Sequence, residues 1–330
     1  MHREYALEFV RVTECAALAA AKWIGRGEKE AADDATVEAM RSVLETINCN
    51  GTVVIGEGEM DEAPMLYIGE CVGSHTGPEV DIAVDPLEGT NLAAKGMNGA
   101  IAVLAVAPKG CLLHAPDMYM NKIIVGPPGK GKICLDYSVT KNLEIMAGAT
   151  GKDVSDLTVV ILDRERHEGL IREVRAAGAM CKLISDGDVN PAIAAGIEGS
   201  GVDMLVGIGG APEGVLAAAA IKCLGGDMQA RLVVEEDEEL RRMKEMGITD
   251  PNKLLTLDDL VIGKEVIFAA TAITDCESLT GVRMMGDTAR TNSIVMRGET
   301  GTIRFIEAIH SFDKKPPFHV KGFHASMFNS

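Results

Sequence analysis

Between residues 157 and 224 the chain repeats one pattern in succession: a short apolar run, a glycine-rich or charged loop, then a segment of helical length. Leu157–Leu162 leads through Arg164-Glu165-Arg166-His167 into a helix ending at Gly178. Cys181–Ile184 leads through Asp186-Gly187-Asp188 into a helix through Ile197. Val202–Ile208 leads through Gly209-Gly210-Ala211-Pro212-Glu213-Gly214 into a helix through Leu224. Strands that return through a helix pair in parallel, so this stretch predicts a parallel sheet with helices on its faces. Ligands of such sheets bind beyond the carboxyl ends of the strands, which is the edge where all of these loops fall.

The first part of the chain has a different rhythm. Residues 3–23, rich in Ala, Leu and Glu, predict one helix stopped by Gly25 and Gly27. Asp33-Asp34 then precede Val37, Met40, Leu44 and Ile47 at helical spacing; on its own, Asp33 there reads as a helix N-cap. Gly51–Ile55 predicts a strand that delivers Glu57 and Glu59, alternate positions whose side chains point the same way and favour a cation between them. Val80–Val84 and Ala100–Ala107 read as a buried strand pair, and residues 117–125 as the completion of a mostly antiparallel first domain. The expectation is an α/β protein, α+β over 1–150 and parallel α/β over 151–330, with Gly148–Asp153 as the boundary and an irregular tail from about 313.

Composition narrows the partners. Acidic residues outnumber basic ones, 49 to 32, for a formal charge of −17. That balance argues against nucleic acid and anionic membrane, and it obliges any phosphate site to bring its own cations. The 8 cysteines form no CxxC pair and sit mostly among apolar neighbours, as reduced thiols of a cytoplasmic protein do. No apolar run is long enough to span a bilayer, and Met-His-Arg-Glu-Tyr is no signal peptide.

The chemistry concentrates at Asp85-Pro86-Leu87-Glu88-Gly89-Thr90, which follows the apolar run Val80–Val84. Pro86 has no N–H to give and is expected to end the strand. Two carboxylates and a hydroxyl are then held at a rigid strand end, the hard oxygen set that Mg²⁺ or Mn²⁺ requires, with Gly89 allowing close approach. Thr90 is placed to hold a water attacking a phosphorus. An Asp-Pro pair alone usually marks only a turn. The whole string resembles the signature of the metal-dependent, lithium-sensitive sugar and inositol phosphatases. With Gly56-Glu57-Gly58-Glu59-Met60-Asp61-Glu62-Ala63-Pro64-Met65, Ala115-Pro116-Asp117-Met118-Tyr119-Met120, Asp186-Gly187-Asp188 and Gly207–Gly214 in this order, the chain from about Arg3 to His310 closely resembles the class II, GlpX-type fructose-1,6-bisphosphatases.

The resemblance implies a layered αβαβα sandwich and a Mn²⁺ or Mg²⁺ cofactor. It implies Asp33, Glu57, Asp85, Glu88 and Glu213 as metal ligands. It also implies Glu88-Gly89-Thr90, Tyr119, Arg164-Glu165-Arg166, Asp186-Gly187-Asp188 and Gly210 as substrate-binding positions. Asp33 or Glu59 would accept the proton of the attacking water with Thr90 as relay, and the residues do not choose between them. Arg164 and Arg166 suit the phosphate that does not react, and Asp186 and Asp188 suit sugar hydroxyls. Glu213 alone would read as an acid favourably placed at a helix start. The expected reaction is hydrolysis of the 1-phosphate of fructose 1,6-bisphosphate. The alternatives are a sedoheptulose 1,7-bisphosphate, inositol phosphate or adenosine bisphosphate substrate, or a phosphosugar-binding regulator without catalysis. A homo-oligomer, dimer or tetramer, is expected. A dinucleotide turn at Gly207–Gly210 fails on spacing, and no Walker loop is present.

Overall fold

The structure, a computed structural model, describes residues 3–58, 63–234, 236–245 and 247–314. Glu59 and the tail from 315 lie outside the described residues. In chain order the elements are α1 (Tyr5–Ala21), α2 (Lys29–Leu44), β1 (Asn50–Ile55), β2 (Cys71–Val72), β3 (Glu79–Glu88), α3 (Thr90–Lys95) and β4 (Ile101–Pro108). Next come β5 (Tyr119–Val125), α4 (Val139–Thr150), β6 (Thr158–Leu162), α5 (Glu168–Ala176), β7 (Met180–Ile184), α6 (Val189–Gly196), β8 (Met204–Gly210) and α7 (Ala211–Leu224). The chain ends with β9 (Asp227–Leu232), α8 (Asp237–Glu245), β10 (Leu255–Thr256), α9 (Leu257–Leu260), β11 (Ile267–Ala272), β12 (Arg283–Met285), β13 (Thr288–Arg297) and β14 (Thr302–Ser311).

Two compact units divide these elements: Met1–Gly110 together with the chain from Glu265, and Cys111–Lys264. The crossings near 110 and 264 replace the single boundary expected near 150. Hydrogen bonding gives the reason: β5 runs between β8 and β9 in the second unit's sheet, and β11 pairs with β4 in the first unit's. The stretch Gly148–Asp153 is only the end of α4, closed by Gly151 at φ 72°.

The first unit's sheet runs β12-β13-β11-β4-β3-β1-β2, with β14 on β13. It is antiparallel except where β1 joins β3. Helix α1 lays Phe9, Val10, Ala16, Ala17 and Ala20 into a core shared with Met40 and Leu44 of α2 and with Ile82, Leu104 and Ala269 of the sheet. Alanine is what lets a helix lie this close to a sheet with so few aromatics in the chain. Strand β3 does not stop at Pro86. Its register with β4 passes from Asp85 opposite Val103 to Glu88 opposite Ile101, so the proline sits in a bulge where no ladder donor is needed.

The second unit's sheet runs β10-β9-β5-β8-β6-β7. The expected parallel strands are present as β8-β6-β7, and β5, β9 and β10 extend them in antiparallel fashion into a mixed sheet. One face buries Ile123, Val159, Ile161 and Val206 against Leu143 of α4 and Val174 of α5. On the other face Val160 meets Ala194 and Ala195 of α6. Helix α7 approaches so closely that a Cβ on Gly214 would lie 2.6 Å from Met120 Sδ. No helix among the described residues is long and apolar enough to cross a membrane.

Candidate active site

In the first unit, two of the expected ligands meet. Asp33 is not an N-cap: helix α2 begins at Lys29 behind Glu28, which puts Asp33 just inside, its carbonyl accepting from Thr36 Oγ1 at 2.7 Å. Glu57 leaves β1 in a loop and shares a side-chain hydrogen bond with Asp33. Burial, the Asp33 charge and that bond push the Glu57 carboxyl up to about 8. Asp33 is raised as well, chiefly by burial and then by Asp34.

At the end of β3, Asp85 Oδ1 accepts from the Leu87 N–H at 3.1 Å, and Glu88 is 2 % exposed. Gly89 at φ 83° turns the chain into α3, which opens at Thr90. The Thr90 hydroxyl donates to the Leu87 carbonyl at 3.0 Å. Its proton is therefore engaged, and its oxygen remains an acceptor.

The second unit gathers a constellation at the carboxyl end of β8. Register sets Tyr119 opposite Gly210. Glu213 stands in the first turn of α7 behind Pro212, where its acidity suits the helix dipole. Its Oε2 is buried without a hydrogen-bond partner. Burial pushes this carboxyl up, as do the Asp188 and Asp117 charges, while Lys122 and its own N–H oppose them. Arg166 donates from Nε (3.3 Å) and Nη2 (2.9 Å) to the Ile208 carbonyl and lies 4.6 Å over the Tyr119 ring.

Not every expected position joins this group. Arg164 donates to the carbonyl of its neighbour Asp163 at 3.0 Å, and Glu165 is exposed in the short turn Glu165–His167. Asp186 is half-buried, and Gly187 at φ 71° makes the turn between the aspartates. Asp188 turns inward: its Oδ2 pairs with Lys122 Nζ at 2.7 Å with both side chains out of water.

Two residues here have no place in the motif reading. Lys122 is 1 % exposed and also reaches the Gly210 carbonyl at 3.1 Å, tying Asp188 to the β8–α7 turn. Its signal was a lone lysine inside the apolar run Tyr119–Val125. His167 Nδ1 lies 2.7 Å from the Leu162 carbonyl and Nε2 accepts from the Ile208 N–H at 2.8 Å. A carbonyl on one side and an N–H on the other leave one neutral tautomer, with the proton on Nδ1. Burial lowers the His167 pKa further, and Arg166 and Arg164 add to it.

Among the described residues no trio of carboxylate, imidazole or thiol groups stands ready-made around one point. The donors nonetheless fit a hard divalent cation. The half-buried Glu57 and the buried Glu213 are carboxyls whose charged forms are disfavoured, Glu213 has an oxygen with no donor, and a hard divalent cation is the kind of partner such groups take. All 8 cysteines are free thiols.

Residues 3–310 match the family described as bacterial fructose-1,6-bisphosphatase, glpX-encoded. The chain is 51% identical over 330 residues to the fructose-1,6-bisphosphatase 1 class 2 of Escherichia coli K12, covering 96% of this chain and 98% of that one. It is 50% identical over 341 aligned residues, with the same coverage of each, to a protein of Synechococcus sp. (strain JA-3-3Ab) named D-fructose 1,6-bisphosphatase class 2/sedoheptulose 1,7-bisphosphatase. The phosphatase signature at the end of β3 and the likeness along nearly the whole chain agree: this chain belongs to the bacterial, glpX-encoded fructose-1,6-bisphosphatase family, whose members are metal-dependent phosphatase enzymes.

Proposed function

We propose that the chain hydrolyses the 1-phosphate of D-fructose 1,6-bisphosphate, releasing fructose 6-phosphate and inorganic phosphate. The observation that carries the site assignment is the Asp33–Glu57 pair, two half-buried carboxyls that share a hydrogen bond and resist ionising. With Asp85 and Glu88 they are the carboxylates of the first unit that would hold a metal, and in the second unit the buried, partnerless oxygen of Glu213 supports its assignment as a ligand. When bound, Mn²⁺ or Mg²⁺ neutralises the phosphate and lowers the pKa of a coordinated water.

The chain's own residues do the rest. Thr90 keeps its oxygen as an acceptor for the water proton while its own proton rests on Leu87. Passing that proton on requires the Leu87 bond to break. Asp33, with its raised proton affinity, supports the role of base; Glu59 is the alternative and lies outside the described residues. Arg166, braced by Tyr119 and Ile208, presents its remaining N–H groups to the second phosphate. Arg164, Glu165, Asp186, Gly187 and Gly210 complete the substrate loops in this reading, with Gly89 giving the substrate room at the β3 turn. Asp188 acts on the sugar through its buried tie to Lys122 and the β8–α7 turn.

Sedoheptulose 1,7-bisphosphate is a second substrate worth the same test, because the Synechococcus relative carries both activities in its name. The experiment is phosphate release from each bisphosphate and from an inositol monophosphate, after chelation and again with Mn²⁺ or Mg²⁺. Turnover of the inositol ester above that of either bisphosphate would overturn the assignment. We further propose that the protein works in the cytoplasm as a homo-oligomer, a dimer or tetramer, which light scattering of the purified protein tests.

A further inference from the structure

We propose that Glu70 is a positioning residue for the Asp33–Glu57 pair: it clamps Leu66 and thereby sets where the Glu57 loop meets helix α2. The inference rests on the proposed role of that pair as metal ligands.

Glu70 is 7 % exposed, too deep for a carboxylate without a task. Its Oε1 accepts from Arg41 Nε at 2.6 Å, and its Oε2 accepts from the backbone N–H of Leu66. Arg41 stands on α2 about two turns beyond Asp33. Leu66 is fully buried and held at φ 55°, a conformation a leucine keeps only when its surroundings impose it.

The carbonyl of that same residue accepts from the Glu57 N–H at 3.0 Å. The contact is tight, since a Cβ on Gly56 would stand 1.9 Å from the Leu66 oxygen. One residue therefore has its N–H on Glu70 and its C=O on Glu57. Glu70 is itself fixed to the strand that delivers Glu57, because its carbonyl accepts from the Val53 N–H at 2.9 Å. Without the carboxylate, the buried Leu66 N–H loses its acceptor, and of the two backbone bonds that hold this residue at positive φ only the one to the Glu57 N–H is left. The carbonyl under Glu57 then swings away.

The test is calorimetric titration of Mn²⁺ into the metal-free, full-length protein. Glu70→Gln keeps the size but puts an NH₂ where one of the two acceptors was. We expect its Mn²⁺ affinity to fall about 10–100-fold, the usual effect of disturbing the groups that orient metal ligands. Its kcat at saturating Mn²⁺ should recover to within a few-fold of wild type. Glu57→Gln runs beside it. If Glu57→Gln weakens binding and Glu70→Gln does not, the clamp is overturned while the ligand reading stands. If neither weakens binding, the ligand reading falls and takes the clamp with it. A merely structural Glu70 would lower the unfolding temperature and leave the Mn²⁺ affinity unchanged. Should Glu70→Gln not fold, Arg41→Gln removes the tie to α2 together with the Arg41–Glu45 pair, so Glu45→Gln runs as its control, and unchanged Mn²⁺ affinity in Arg41→Gln overturns the proposal equally.

Discussion

Lys122 keeps an ammonium group almost wholly out of water, and only the Asp188 carboxylate at 2.7 Å and the Gly210 carbonyl make that tolerable. Lys122→Met removes the cation and leaves Asp188 buried beside Glu213. We expect a loss of about 3–5 kcal/mol in urea unfolding, with much of it recovered in Lys122→Met/Asp188→Leu. A single variant within about 1 kcal/mol of wild type would show that the pair contributes nothing net. The proposed role of Thr90 is in the chemical step. Thr90→Ser preserves the oxygen that opens α3 and should retain measurable turnover. Thr90→Ala should lower kcat about 100-fold or more, the range of a proton-handling group. A normal kcat with only a raised KM would reduce Thr90 to a binding contact.

The turn from β8 into α7 is a part with almost no slack. Gly210 has φ −64° and ψ 146°, which alanine adopts freely, yet a Cβ there would lie 1.8 Å from Glu213 Oε2. Gly210→Ala therefore tests side-chain placement rather than backbone strain. With Glu213 in its proposed role as a ligand, activity should fall about 100-fold on a displacement of roughly an ångström, with little change in unfolding temperature. The same strand end carries Arg166 through Ile208. Arg166→Ala should raise KM for fructose 1,6-bisphosphate steeply and lower kcat less, because the proposed phosphate contact would be made in ground and transition states alike. Hydrolysis of a small monophosphate should barely change; equal losses on both would make Arg166 a support for the turn.

At the scale of the whole molecule, divalent metal links activity to stability. Chelation should abolish phosphate release, and Mn²⁺ or Mg²⁺ should restore it. Metal at about 100 times its Kd should also stabilise the fold by about 2.7 kcal/mol. Without metal, Glu57 carries a folded-state pKa of about 8 against about 4.3 unfolded. Between those values the folded state holds a proton that the unfolded chain has lost. The contribution is full below pH about 4.3 and disappears as pH rises through about 8. Metal-free protein should therefore lose stability across that window, while the metal-bound protein, its ligands already ionised, should not. Parallel slopes in thermal scans with and without Mn²⁺ would contradict this.

Local chemistry alone determined a good deal. The apolar runs and their glycine stops foretold α1, β1, β4 and the β6–α5–β7–α6–β8–α7 series, because periodicity and turn residues act over a few neighbours. The string Asp85–Thr90 marked the phosphatase signature, although the strand it was expected to end at Pro86 runs on to Glu88. Only tertiary structure assigned β5 to one sheet and β11 to the other, since pairing between distant strands leaves no trace in their own residues. It carried β3 through Pro86, because the bulge depends on where β4 runs. It turned Asp188 inward onto Lys122 and braced Arg166 on Tyr119. A motif names donors and acceptors; burial, which decides what each must be paired with, is a property of the folded chain.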